Sequence, residues 1–189
     1  MQELTKLDDV YAEVAVLRPL YQDGAGDGTE VILRSGERFW QGRQIKSVRT
    51  ALARLYGVDL VALRSKYGRL LGRSSSVPLP LSPRLTLVPL RLRQPRCRGD
   101  ACLGYVSFRE VKEVREYASG CFRSLIVLAS GVQVEVLSRR RIVLEHLSAA
   151  RLVEDYYLRQ NGWIGGREGA TLEDRIGILF RALTERYLA

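Results

Sequence analysis

The spacing of apolar residues along this chain changes period several times, and each change marks an element. From Tyr11 to Leu17 apolar and small residues alternate as far as Pro19, which predicts a first strand. Asp23-Gly-Ala-Gly-Asp-Gly28 breaks it. The run resembles a calcium-ligand loop, but Arg34 stands where such a loop needs a bidentate acid, so it reads as a plain turn. Glu30–Arg34 and Arg38–Gln41, separated by Ser35-Gly36, predict a hairpin. Helical spacing then takes over. Val48, Ala51, Leu52 and Leu55 follow Ser47, a candidate N-cap, and Gly57 ends the helix. Asp59 can cap a second helix whose inner face is Leu60, Leu63 and Tyr67 and whose other side carries Arg64, Lys66, Arg69 and Arg73.

Ser74-Ser-Ser76 with Pro78, Pro80 and Pro83 reads as a loop or edge connection, and Arg84 to Pro89 as a strand. Beyond the loop Arg91–Arg98, Val106–Tyr117, Arg123–Ala129 and Val132–Leu137 predict three strands, the last two joined across Ser130-Gly131. Arg139 to Gln160 reads as a long helix with Val143, Leu147, Ala150, Val153 and Tyr157 on one stripe. Residues 161–170 form a glycine-rich linker. Thr171 and Asp174 make a capping box for a last helix, 171–189, whose stripe of Ile176, Leu179, Phe180, Leu183 and Tyr187 suits packing or oligomerisation. The pattern predicts an α+β protein: an antiparallel β-sheet core with a short helical pair inserted and two C-terminal helices, residues 1–160 forming the core.

An apolar fraction of 46% over 189 residues supports such a core. No apolar run is long enough to span a bilayer, and Met1–Tyr11 is acidic without an apolar signal segment, so the expected location is the cytoplasm. Cys97, Cys102 and Cys121 are an odd set for disulfides and fit a reducing compartment.

Charge adds what periodicity cannot. Between Arg34 and Arg98 there are fifteen Lys or Arg against two acids, a net +13, while the segment before carries −5 and the segment after +1. The chain's whole net charge of +9 therefore originates in one stretch, and a polyanion is the natural partner. Arginine dominates, which suits phosphate forks and groove insertion or simply reflects base composition. Candidate nucleic-acid contacts are Arg43, Lys46, Arg49, Arg64, Lys66 and Arg69 around the helical pair, Arg91, Arg93, Arg96 and Arg98 in a loop without an acid, and Arg139, Arg140 and Arg141 at a helix start. The helical pair is open to two readings, a helix-turn-helix or a structural pair with a solvated basic face; Gly68 and Gly72 weaken its second helix. No cofactor or metal is expected: Cys97 and Cys102 lack zinc spacing, and His146 is the only histidine. With no Walker loop, nucleophile elbow or paired-acid set, an enzyme is not expected; Glu110, Glu113 and Glu116 read as a solvated edge rather than a nuclease site.

The order of these features resembles the ComK family of competence transcription factors. Tyr56-Gly57 followed by Arg64, the Pro80 region, the strand ending at Pro89, Cys102 before Tyr105-Val-Ser, the Leu128-Ala-Ser-Gly-Val hairpin and the Leu147–Leu152 helix stand in that family's order, over about Ile32 to Leu158. The chain departs from the family pattern at Leu52-Ala53, at Leu90-Arg-Leu92, at Tyr105 in place of a usual Trp, and near Glu145-His146. The hairpin and helix from Tyr105 to Leu147 also look weakly like a LytTR-type domain. The resemblance implies a nucleoid-associated activator of competence genes that binds AT-rich duplex DNA in the minor groove as a homo-oligomer. RNA polymerase and a proteolytic adaptor would be its further partners. The competing reading is an RNA or single-strand binder that uses Phe39, Trp40, Tyr56 and Tyr67 as stacking platforms.

Overall fold

The computed structural model describes residues 7–22, 24 and 26–163. The chain is α+β and divides into two compact units, Met1–Tyr157 and Leu158–Ala189. The linker beyond Trp163 and the last predicted helix, with its apolar stripe, lie outside the described residues. A short helix α1 (Leu7–Val10) leads into β1 (Val14–Gln22), β2 (Gly26–Leu33) and β3 (Arg38–Gln41). The helices α2 (Ile45–Leu55) and α3 (Leu60–Leu71) follow, then β4 (Leu79–Ser82), β5 (Leu85–Arg91) and β6 (Leu103–Ser107). Strands β7 (Val111–Ser119), β8 (Phe122–Leu128) and β9 (Gln133–Val136) precede the long helix α4 (Arg140–Gln160).

The strands form three antiparallel meanders. Two of them join edge to edge into a six-stranded sheet of order β3-β2-β1-β6-β5-β4, and the third is a separate sheet of order β7-β8-β9. The two central meander strands meet where Val16 and Leu17 oppose Val106 and Tyr105. One face of the large sheet, with Leu17, Val31, Leu85 and Leu87, packs against Ile45, Val48 and Leu52 of α2. The opposite face, with Val16, Ile32, Val88 and Leu90, packs against Ile126, Val134 and Val136 of the small sheet and Val143 and Ala150 of α4. Burial on both faces explains why Val14–Leu17 is a continuous apolar run and why every residue of Leu85–Leu90, Thr86 included, is buried. A smaller cluster of Tyr67, Val77 and Val153 ties α3 to α4.

Several expected boundaries move. Strand β1 starts at Val14 and passes through Pro19, which is tolerated because β6 pairs only at Val16 and Leu17, leaving that side of β1 without a ladder at the proline. Helix α2 begins at Ile45, not after Ser47, because Ile45 is buried on the same stripe as Val48 and Leu52; Gln44 stands at the N-cap without a side-chain bond. Pro80 lies in a true strand, β4, at the sheet edge where proline costs no central ladder bond. The expected strand Val106–Tyr117 is two strands in different sheets. A 3-10 turn, Phe108–Glu110, breaks it, and the corner is tied by Arg109 to Glu154 at 2.9 Å and by Arg34 to Glu110 at 3.2 Å.

Candidate nucleic-acid interface

Helix α3 is defined by its two ends. Asp59 accepts from the backbone amides of Val61 at 2.7 Å and Ala62 at 3.2 Å, satisfying two of the donors that a helix start leaves open. Gly57, at φ 66°, makes the turn from α2, and Gly72, at φ 62°, ends α3 in the left-handed conformation. The chain then folds back so that the Arg73 amide donates to the Gly68 carbonyl at 2.9 Å. A β-carbon on Gly68 would stand 2.7 Å from the Arg73 carbonyl oxygen, so the return needs glycine there. The two glycines that look like weaknesses in the helix are therefore what lets Arg73-Ser-Ser-Ser76 lie against it.

From Gly42 to Gly99 the only acid is Asp59, and it is occupied as the cap. Arg43, Lys46, Arg64, Lys66 and Arg69 are exposed, and among the described residues none of them forms an ion pair. Several cations elsewhere are ion-paired, among them Arg18 with Glu30 at 2.7 Å, Arg115 with Glu113 at 2.7 Å and Arg141 with Glu145 at 3.7 Å. The contacts of the unpaired group are weak or local. Arg43 reaches Gln41 at 3.4 Å, Arg69 Nε donates to the Ser65 carbonyl at 3.3 Å, and Lys66 Nζ hovers 5.4 Å from the Tyr67 ring centre. Arg49 differs: half-buried, it donates from Nη1 to the Tyr105 hydroxyl at 2.5 Å.

The loop after β5 is less free than its sequence suggests. Arg93 is buried, donates from Nε to the Ala101 carbonyl at 2.8 Å, and forms an ion pair with Asp27 on the β1–β2 hairpin. Its guanidinium lies 4.2 Å from the Tyr21 ring centre, and that of Arg96 lies 4.3 Å from it. Asp100 accepts from the Tyr21 hydroxyl and from the amides of Cys97 at 2.7 Å and Arg96 at 3.0 Å; the Tyr21 and Cys97 bonds hold its carboxyl below the usual range. The expectation of a loop with no acid nearby thus fails, because Asp27 and Asp100 both close on it. Arg93 is used inside the fold, and Arg91, Arg96 and Arg98 remain exposed.

Arg139–Arg141 also divide. Arg140 Nε donates to the Val114 carbonyl at 3.0 Å and Arg141 faces Glu145, leaving Arg139 as the unpaired cation among the described residues at that helix start. The loop and this helix start follow strands of different sheets, not of one, yet the Leu137 amide donates to the Arg91 carbonyl at 2.9 Å and brings them side by side. Two groups of cations result: one on α2 and α3, the other around Arg91 and Arg139.

The aromatics proposed as stacking platforms are engaged in packing. Tyr67 is 1% exposed, with its phenol pushed up to about 12 by burial and by the neighbouring Tyr157 and Tyr156. Tyr56 meets Tyr11 edge-on at 5.0 Å, Phe39 packs on the core, and Trp40 fills the space over Gly28. Glu110 and Glu113 of the acidic edge are each paired with an arginine. The three cysteines are free thiols. No helix among the described residues is long and apolar enough to cross a membrane.

Arg73, expected on the basic side of the second helix, stands just beyond its C-cap Gly72, and the three serines follow it as the expected loop. Two adjoining depressions, of about 640 and about 230 Å³, share Arg64 and Ser74 as lining residues. The available signal was the serine triplet directly after a helix-ending Gly-Arg. No protein-family model matches this sequence, and neither a curated protein nor a solved structure is significantly similar to it.

Proposed function

We propose that this protein is a DNA-binding transcription regulator that engages duplex DNA through the basic α2–α3 pair, with arginines on phosphates and in a groove. The observation that carries the reading is the set of exposed cations on that pair, none ion-paired among the described residues, around a single acid already used as a cap. An arginine or lysine kept for internal stability is normally given a carboxylate, as Arg18, Arg93 and Arg109 are here; cations left without one keep their full charge for a phosphate backbone. Activation of competence genes by an oligomer is the more specific form of this proposal and rests on the resemblance to ComK proteins.

Duplex is favoured over RNA or single-stranded DNA because, of the aromatics that would stack on bases, Tyr67 is buried and Phe39, Trp40 and Tyr56 are partly buried in contacts within the protein. Competition settles the choice: an unlabelled duplex is expected to displace a labelled duplex at lower concentration than either of its single strands. A single strand that competes equally well or better overturns the duplex reading and transfers the basic surface to single-stranded nucleic acid.

A further inference from the structure

At the C-terminal end of α3 two of the exposed cations, Arg64 and Arg69, join the half-buried Arg73 around a shallow depression. The larger depression is lined by Arg64, Arg69, Arg73 and Ser74; the smaller continues from Arg64 and Ser74 past Ser76 to Tyr105. Its lining combines Arg64 and the three serines with Val77, Pro89, Leu103 and Tyr105. Arg73 is half-buried, and its Nε and Nη2 are buried with no hydrogen-bond partner among the described residues. Burial pulls the Arg73 pKa down, and among the described residues no acid forms an ion pair with it. Its neighbour His146 also has a buried Nδ1 without a partner among the described residues, and burial together with Arg73 depresses the imidazole pKa. Ser76, at φ 51°, is the non-glycine residue with a positive φ among the described residues, a strained conformation of the kind that ligand clamps retain.

These features share one explanation. A half-buried guanidinium without a carboxylate leaves positive charge uncompensated beside Arg64 and Arg69, and an oxyanion both neutralises that charge and offers several acceptors at once. The C-terminal pole of a helix opposes an anion with about half a negative charge, whereas three arginines bring three full positive ones. The Arg73 and Gly72 amides already occupy the Gly68 and Arg69 carbonyls, which reduces that opposition further. We infer that the paired depressions bind a phosphate ester, with the phosphoryl group between Arg64, Arg73 and Ser74 and the small organic portion against Tyr105 and its apolar neighbours. The ester is either a free small molecule or a backbone phosphate of nucleic acid, and the two sources are separable.

Phenyl phosphate, titrated into the full chain against sodium chloride of equal ionic strength, tests this. At about tenfold above Kd it is expected to raise Tm by about 3–5 °C over the chloride control. Arg73→Met removes the donors without leaving a buried charge, so it is expected to stay folded with an equal or higher Tm of its own while binding weakens at least about tenfold; Ser74→Ala should weaken binding in the same direction. No effect beyond the chloride control, or wild-type binding by Arg73→Met, overturns the proposal. Adding a short duplex to the phenyl phosphate complex then assigns the source: displacement marks the cleft as the seat of a DNA phosphate, and a ternary complex marks it as a separate small-molecule site. The first titration contains no DNA, so failure of the phosphate site and failure of the duplex reading are observed separately.

Discussion

Arg93 and Arg98 occupy one loop and carry the same charge, yet the fold uses them in opposite ways. Arg93 closes the loop onto the β1–β2 hairpin through Asp27, 66 residues away, and covers Tyr21, whereas Arg98 lies in solvent. Arg93→Ala leaves Asp27 without its partner and opens a space beside Tyr21, and is expected to cost about 2–4 kcal/mol, the lower part of the range reflecting the partial exposure of Asp27. Arg98→Ala should change stability by less than about 0.5 kcal/mol. Urea denaturation of the two variants distinguishes them, and near-equal midpoints would contradict the buried assignment. Tyr67 supplies a pH-dependent counterpart. Its phenol titrates near 10 in the unfolded chain and at about 12 in the fold, so the native state holds the proton more tightly. The stability this contributes is complete below pH 10 and is lost as pH rises from 10 to 12. Tyr67→Phe should therefore flatten the alkaline limb of the stability profile in that window, measured by denaturation at stepped pH.

Element by element, what sequence conveys is the local part of each decision. The β2–β3 and β8–β9 hairpins, the cap at Asp59, the turn at Gly57 and the extent of α4 are set by residues adjacent in the chain, and their signals are in the sequence. The break between β6 and β7 is not, because Val106–Tyr117 has strand composition throughout and only the distant partners of Arg109 and Glu110 bend it. The role of Arg93 was hidden for the same reason, since its acid lies in another hairpin. Gly68 shows a signal that was visible but ambiguous: glycine lowers helix propensity, yet here it admits the returning Arg73 carbonyl. Gly68→Ala thus tests whether propensity or the return wins. Alanine gains roughly 1 kcal/mol of helix propensity but places its β-carbon 2.7 Å from a backbone oxygen, which has to move. A net loss of stability is expected, read as a lower Tm; a gain would mean that the Arg73–Ser76 segment is free to shift.

For the molecule as a whole the decisive property is where charge is left uncompensated. The stretch Arg34–Arg98 carries a net +13, and among the described residues only Arg34, Arg38 and Arg93 of it are ion-paired, so most of its excess is left uncompensated. That excess lies in two groups, and salt dependence can assign the interface to one of them. If about six phosphates are neutralised, log K should fall against log salt with a slope of roughly −5, each lost contact reducing its magnitude by about 0.9. Lys46→Gln, Lys66→Gln and Arg69→Gln together are therefore expected to shift the slope to roughly −2 to −3 with little change in Tm, because these side chains are exposed and unpaired among the described residues. Arg115→Gln with Arg123→Gln, on the small sheet, should leave it near −5. A triple change at Arg91, Arg98 and Arg139 gives the opposing test: if that variant loses the slope and the α2–α3 variant keeps it, duplex DNA lies across the loop and the start of α4, and the helical pair returns to the status of a structural element with a solvated face.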